Sequence, residues 1–115
     1  MNATQSKPLV PTLALSLAML LCACGNPVPL EKSAYVGEWR SSTMALQITQ
    51  DGNVRYARKD KGVNRSMKGP LQRFEGNNLI VGIGPISSTF SVSVAPHRDG
   101  DAWKMTVEGV ELTKR

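Results

Sequence analysis

Cysteine is scarce in this chain of 115 residues, and its two cysteines, Cys22 and Cys24, both lie close to the start. The residues after Cys24 must therefore fold on a hydrophobic core alone, without a disulfide. Histidine occurs once, as His97 beside the turn residues Asp99 and Gly100, and nothing supplies the further imidazole or thiolate ligands that a metal site needs. The sequence therefore predicts no bound metal and no cofactor.

The residue patterns of catalysis are missing as well. The sequence contains no Gly-x-Ser-x-Gly elbow, and the serines of residues 86–93 alternate with the period of a strand. The few carboxylates lie mostly at turns, where turn chemistry explains them. The glycines of residues 82–84 are followed by Pro85 and a strand, which excludes the helix start of a phosphate-binding loop. These absences predict a protein that is not an enzyme.

The sequence contains only one long apolar run, the uncharged residues 9–21. A short polar segment with a single cation, Lys7, precedes this run. A helix that spans a bilayer needs about 20 apolar residues, so this shorter run is typical of a helical export signal. The run leads into five residues that contain both cysteines, Leu21-Cys22-Ala23-Cys24-Gly25.

This motif resembles the bacterial lipobox, in which a Leu, a tolerant position and a small residue precede the modified cysteine. The resemblance implies that Cys24 is acylated, that residues 1–23 are removed as a signal peptide, and that acyl chains such as palmitate anchor the protein in a membrane of the cell envelope. Gly25 after Cys24, rather than Asp, implies the outer membrane if the cell is Gram-negative. A frame that modifies Cys22 places the bulky Leu21 before the thiol and matches less well. A plain secretory signal is the remaining alternative.

The rest of the chain divides into a linker and one domain. Residues 24–34 contain two prolines and a glycine, which predict an extended, semi-stiff tether. In residues 35–115, apolar and polar residues alternate between turn signals such as Asp51-Gly52, most clearly over residues 86–94. This pattern predicts an all-β fold, a small antiparallel meander of seven or eight short strands that closes into a barrel.

The opening strand of this domain, Tyr35-Val36-Gly37-Glu38-Trp39-Arg40, resembles the Gly-x-Trp strand of lipocalin-like domains. The resemblance implies that Trp39 plugs one end of the barrel and that a cation near the chain end, Lys114 or Arg115, packs over its ring. With Phe90 and Trp103, Trp39 makes a candidate set of barrel-end or ligand-facing aromatic residues. The alternative is that Trp39 simply begins the core.

Cations outnumber anions, with 14 Lys and Arg against 9 Asp and Glu. Seven of the cations share one stretch that includes a single acid, Asp60: Arg55, Arg58, Lys59, Lys61, Arg65, Lys68 and Arg73. Residues 59–62 are typical of a hairpin tip, so we expect these charges to project together. The cluster predicts a patch for an anionic lipid, an acidic glycan or an acidic protein. A solvated hairpin whose charges protect a sheet edge is the alternative.

These observations favour a membrane-anchored envelope lipoprotein that acts as a non-enzymatic binding or interaction module. Two other classes of function stay open. One is a lipocalin-like carrier that holds a small apolar ligand in an internal cavity. The other is a periplasmic inhibitor of a hydrolase, with residues 82–87 as the protruding contact. Because export separates the protein from nucleic acid, we expect no nucleic-acid partner.

Overall fold

Alternating apolar and polar side chains build one antiparallel sheet. The computed structural model describes residues 25–115, so the predicted signal peptide 1–23 and the predicted lipidation site Cys24 lie outside the described residues. Nine strands follow one another along the chain: Gly37–Arg40 (β1), Met44–Ile48 (β2), Asn53–Asp60 (β3), Val63–Glu75 (β4), Asn78–Ile83 (β5), Ile86–Phe90 (β6), Val92–Asp99 (β7), Ala102–Val107 (β8) and Val110–Lys114 (β9).

The strand order across the sheet is β6-β5-β4-β3-β2-β1-β9-β8-β7. All sequential strands except β6 and β7 pair as antiparallel neighbours, and the first strand also pairs with the last, with Trp39 opposite Lys114 and Arg40 opposite Thr113. The sheet curls into a half-barrel. The predicted all-β antiparallel meander is therefore confirmed, with nine strands where seven or eight were expected.

The curled sheet is open rather than a closed barrel, and its two edges are the strands β6 and β7. Residues 86–94 were expected to form one strand, but the strand breaks at Ser91, which is the only residue between β6 and β7. A tight hairpin needs a loop of at least two residues, so the chain passes from one edge of the sheet to the other instead of folding back. The break is held by side chains, since Glu108 Oε2 accepts from the Ser91 amide and Asn78 Oδ1 accepts from the Val92 amide, both at 2.8 Å.

One face of the sheet carries the core, and we call the opposite face the outer face. The core side chains are almost fully buried: Val28, Tyr35, Trp39, Met44, Leu46, Ile48, Val54, Leu71, Leu79, Val81, Phe90, Val92, Met105, Val107 and Leu112. Among the described residues, no polar or charged residue is classed as buried. The domain is thus stabilised by apolar burial from one sheet face, as a chain without a domain disulfide requires.

Residues 25–34, predicted to be an extended linker, pack against this sheet instead. Val28 is 3% exposed, and its amide and carbonyl groups bond the main chain and side chain of Gln50 at 2.9 Å. Residues Leu30–Tyr35 form a 3₁₀-helix that ends in the buried Tyr35. The prolines prevent regular strand pairing, but Val28 and Tyr35 still gain apolar burial at the end of the sheet. The chain is therefore already packed against the sheet at Val28, before the predicted boundary at Tyr35.

Candidate anion-binding surface

The predicted hairpin tip lies where the sequence placed it. β3 and β4 are joined by Lys61 and Gly62, which adopt positive φ angles of 51° and 82°. Such left-handed conformations close a two-residue turn without splaying the twisted strands. The hairpin extends beyond its neighbour β2, since the first residue of that strand, Met44, pairs with Arg58. The tip of the longest hairpin therefore projects past the end of the sheet.

The seven predicted cations do not project together, because side chains alternate across a strand. Arg58 and Arg65 are cross-strand partners on the face that carries the core. Arg55 and Lys68 are partners on the outer face, which Lys59 shares by strand period. Lys61 occupies the turn. Arg73 lies beyond an irregularity in β4 and forms an ion pair with Glu75, at 2.7 Å between Nη2 and Oε2.

The end of the sheet nearest the hairpin tip carries a groove of about 300 Å³, which we call the distal groove. Its cations are Arg40, Arg58, Lys59 and Arg65, and no carboxylate lines it. Hydroxyl and amide side chains also line it (Ser41, Ser42, Thr43, Asn64 and Ser66), together with the apolar Met44, Ala45 and Ala57. A concave site with four cations, several neutral donors and no lining acid has the composition that an anionic group requires.

Arg40 belongs to this groove, although sequence reasoning missed it. The position of Arg40 depends on strand pairing between distant parts of the chain, which no local pattern shows. Arg40 lies in one cross-strand row with three small residues, Ala45, Ala57 and Ser66. This row of small residues keeps the outer face open beside the Arg40 guanidinium. Glu38 lies 3.6 Å from Arg40 Nε, but both side chains are about half exposed. Solvent screening leaves such a pair weak, so Arg40 remains available to another anion.

The Arg58 side chain has an unmet hydrogen-bond donor. Its Nε atom is buried and has no hydrogen-bond partner among the described residues. A buried donor without an acceptor costs about 1–3 kcal/mol, and the cost is greater for a charged group. The cross-strand partner of Arg58 is another cation, Arg65, and like charges placed directly opposite destabilise a strand pair. Arg58 and Arg65 both line the distal groove, so the like charges meet at this concave site.

Two further grooves follow the outer face toward the base of the same hairpin. A groove of about 590 Å³ is lined in part by Arg40, Arg55 and Lys68. The next, of about 570 Å³, is lined by Arg55 and Lys68 together with Pro70 and Ile83. We call this last one the proximal groove. Neither Arg55 nor Lys68 takes part in an ion pair within residues 25–115. Free positive charge thus runs along the outer face from the hairpin tip to its base.

Two of the three predicted aromatic residues meet at one cation. Trp39 is fully buried, and its indole N–H donates to the Tyr35 carbonyl at 2.9 Å. The Lys114 ammonium lies 5.1 Å from the Trp39 ring centroid and 5.5 Å from that of Trp103. Phe90 lies elsewhere, 5.0 Å from the Tyr56 ring. Burial of the ammonium lowers the pKa of Lys114, whereas the indole faces favour its charged form.

The remaining expectations concern single residues and one loop. His97 is exposed, with Nδ1 2.9 Å from the Ala95 carbonyl, and residues 25–115 contain no group of three His, Cys, Asp or Glu side chains arranged for a metal. No described helix has the length and apolarity to cross a membrane. The loop at residues 82–87 is a tight hairpin between β5 and β6, and its flanking residues Ile83 and Ile86 are 74% and 81% exposed.

The chain matches no protein-family model, no curated protein and no solved structure.

Proposed function

We propose that this chain is a lipid-anchored protein of the bacterial cell envelope, whose β domain is a non-enzymatic binding module for an anionic partner. The distal groove is its contact site. The observation that carries the proposal is the unsatisfied Arg58 Nε in a groove that contains four cations and no lining acid. Anchorage comes from the lipobox-like motif, in which Cys24 receives the acyl chains and the outer membrane is the destination if the cell is Gram-negative.

Two unfavourable features of the apo domain support this assignment. The Arg58–Arg65 pair places two cations opposite each other, and the Arg58 Nε is desolvated without an acceptor. A sequence under selection for stability alone removes such a pair easily, for example by substituting a neutral residue. Retained strain of this kind is typical of a site that an incoming ligand satisfies.

The lipocalin-like carrier is the weaker candidate. It needs aromatic side chains that face an internal void, but Trp39 and Phe90 are packed in the core at 0% and 5% exposure. The hydrolase inhibitor has more support, because Ile83 and Ile86 make the 82–87 hairpin an exposed contact. However, the position of that hairpin beside Gly25 favours a contact with the membrane instead.

Binding is tested with the processed full chain in nonionic detergent. Fluorescent polyglutamate represents an acidic protein, polygalacturonate an acidic glycan, and dextran is the neutral control. We expect binding of at least one polyanion that weakens with salt, and no binding of dextran. Arg58→Gln with Arg65→Gln should lower the affinity about tenfold, at up to about 1 kcal/mol per charge.

The matched control is Arg98→Gln with Arg115→Gln, which removes the same net charge from exposed residues outside the distal groove. If both double variants lose affinity equally, net charge rather than the groove binds the polyanion, and the site assignment is wrong. Unfolding of the groove variant by urea should show unchanged or higher stability, because a like-charge pair is removed.

Anchorage is tested by intact mass spectrometry of the protein extracted from envelopes. We expect the mass of residues 24–115 plus acyl groups, and loss of both the cleavage and the acyl mass in Cys24→Ala. An unacylated mature mass would leave a secreted binding domain without a membrane anchor.

A further inference from the structure

The β5–β6 hairpin ends in an exposed apolar tip. Ile83 and Ile86 are paired across the hairpin, and Gly84 and Pro85 form the turn between them. The two isoleucines, at 74% and 81% exposure, are among the most exposed large apolar side chains that the structure describes. We call residues 83–86 the apolar tip. Adjacent exposed aliphatic side chains on a tight turn mark a contact with another apolar phase.

The residue before the apolar tip, Gly82, has a backbone conformation and a close strand contact that only glycine can accommodate. Gly82 has a φ of 144°, and a Cβ there would lie 2.2 Å from the Ile86 carbonyl oxygen. The close approach of the two strands holds the tip in one position relative to the sheet. The isoleucines therefore project from a rigid support rather than from a flexible loop.

The apolar tip lies beside the point where the described chain begins. The Asn26 amide N–H donates to the Leu71 carbonyl at 2.9 Å, and its side-chain amide donates to the Gln72 carbonyl at 2.7 Å. The Gln72 side chain in turn donates to the Gly84 carbonyl, in the turn of the tip, at 3.0 Å. Gly25, Gly82 and Ile83 also line one shared groove. The residue that follows Cys24 is thus fixed next to the tip.

Cations border the same place. Arg55 and Lys68 line the proximal groove together with Ile83. They are cross-strand partners without an ion pair among the described residues. A cation close to an anionic membrane surface contributes about 1 kcal/mol. An apolar tip, a pair of free cations and the attachment point of the chain therefore share one end of the domain.

We propose that this end is a second membrane contact, in which Ile83 and Ile86 insert into the bilayer that holds the acyl chains while Arg55 and Lys68 lie at anionic head groups. The inference rests on the proposed acylation of Cys24. Because residues 25–28 are bonded to the sheet, no slack tether separates the domain from the lipid surface. The contact fixes the orientation of the domain rather than its attachment, since several acyl chains already suffice for attachment.

The orientation has a consequence for the distal groove. The hairpin of β3 and β4 runs from Asn53, near the proximal groove, to the turn at Lys61. At about 3.3 Å per residue, the seven steps from Asn53 to Asp60 span roughly 23 Å. Because β3 and β5 run in the same direction, the apolar tip and the turn at Lys61 point to the same end of the sheet, so a domain docked by its apolar tip presents the distal groove toward the same membrane surface.

The test uses the processed full chain in vesicles of phosphatidylethanolamine and phosphatidylglycerol. The processed chain is expected to have no free thiol, so Pro85→Cys introduces a single labelling site at the tip and keeps both isoleucines. The matched control is Asn77→Cys, an exposed residue in the turn between β4 and β5, at the opposite end of β5 from the tip. Each thiol carries a polarity-sensitive fluorophore, and quenching by aqueous iodide reports its exposure to water.

We expect the probe at residue 85 to be quenched about fivefold less than the probe at residue 77. Adding Ile83→Ser and Ile86→Ser should restore quenching, since burial of two isoleucines shifts the docked-to-undocked ratio by about 100-fold or more. Arg55→Gln with Lys68→Gln should raise quenching in these vesicles but not in vesicles of phosphatidylethanolamine and phosphatidylcholine alone.

Equal quenching of the two probes on vesicle-bound, acylated protein would overturn the second contact and leave the anchor intact. Protein that carries no acyl mass and stays off the vesicles would instead contradict the proposed anchorage. Protection of residue 85 that disappears when protein is diluted in excess lipid would mean that another copy of the chain covers the tip, and it would also overturn the proposal.

Discussion

Replacement of Trp39 by Phe is the sharpest test of how this domain is held together. The indole is fully buried, donates to the Tyr35 carbonyl at 2.9 Å and lies under the Lys114 ammonium. The substitution leaves that carbonyl without its donor, which costs about 1–3 kcal/mol, and removes part of a buried ring. We expect a total loss of about 2–4 kcal/mol of unfolding free energy, a large share of the stability of a domain this small.

The matched control for Trp39→Phe is Trp103→Phe. Trp103 contacts the same lysine but is only partly buried, and no side-chain hydrogen bond of its indole is present in the described structure. We expect this second substitution to cost no more than about 1 kcal/mol. Urea unfolding followed by far-ultraviolet circular dichroism measures both. Equal losses, or a loss below about 1 kcal/mol for Trp39→Phe, would refute the assignment of Trp39 as the core residue that joins β1 to the 3₁₀-helix.

Three further perturbations have defined outcomes. Burial lowers the pKa of Lys114 in the folded domain, so the Lys114 side chain of the unfolded chain stays protonated to higher pH. The contribution of Lys114 to stability should therefore rise as the pH increases toward 10.5, the ordinary pKa of lysine. Lys114→Met should abolish that rise in urea midpoints measured between pH 7 and 10. Gly82→Ala should destabilise the domain by more than about 2 kcal/mol through collision with a carbonyl oxygen of β6, whereas Gly84→Ala, with open space around its Cβ, should cost about 1 kcal/mol in the same assay. Val28→Ser should lower the thermal midpoint by roughly 5–10 °C and speed proteolysis at residues 25–28, while Leu30→Ser, at 86% exposure, should change neither.

Local pattern was sufficient to locate most of the strands and turns, although it missed the break at Ser91. Alternation with period 2 located the strands, and turn residues such as Asp51-Gly52 located the reversals, because both are properties of a few adjacent residues. The hairpin tip at residues 59–62 was predicted for the same reason. Residues 25–34 show the limit of such reasoning: their prolines correctly exclude a strand or a long helix, but the burial of Val28 depends on a surface that distant strands provide.

The charged surface shows a second limit. Seven cations that are close together in the sequence were expected to form one patch. Because side chains alternate along a strand, they lie on two different faces of the hairpin. Although Arg58 and Lys59 both line the distal groove at the end of the sheet, strand period alone places them on opposite faces, so this division was predictable in principle. Arg40 was not, because its place in the distal groove follows from the pairing of β1 with β2.

The sequence by itself determined the lipobox-like motif that predicts the anchor, the β architecture and the excess of positive charge, since each depends on residues that are close together in the chain. Only the tertiary structure decided that the sheet stays open between β6 and β7, that Arg58 has an unsatisfied donor, and that Gly25 lies beside Gly82 and Ile83. These features join segments that are tens of residues apart. They are set by strand register and core packing, which no local pattern contains.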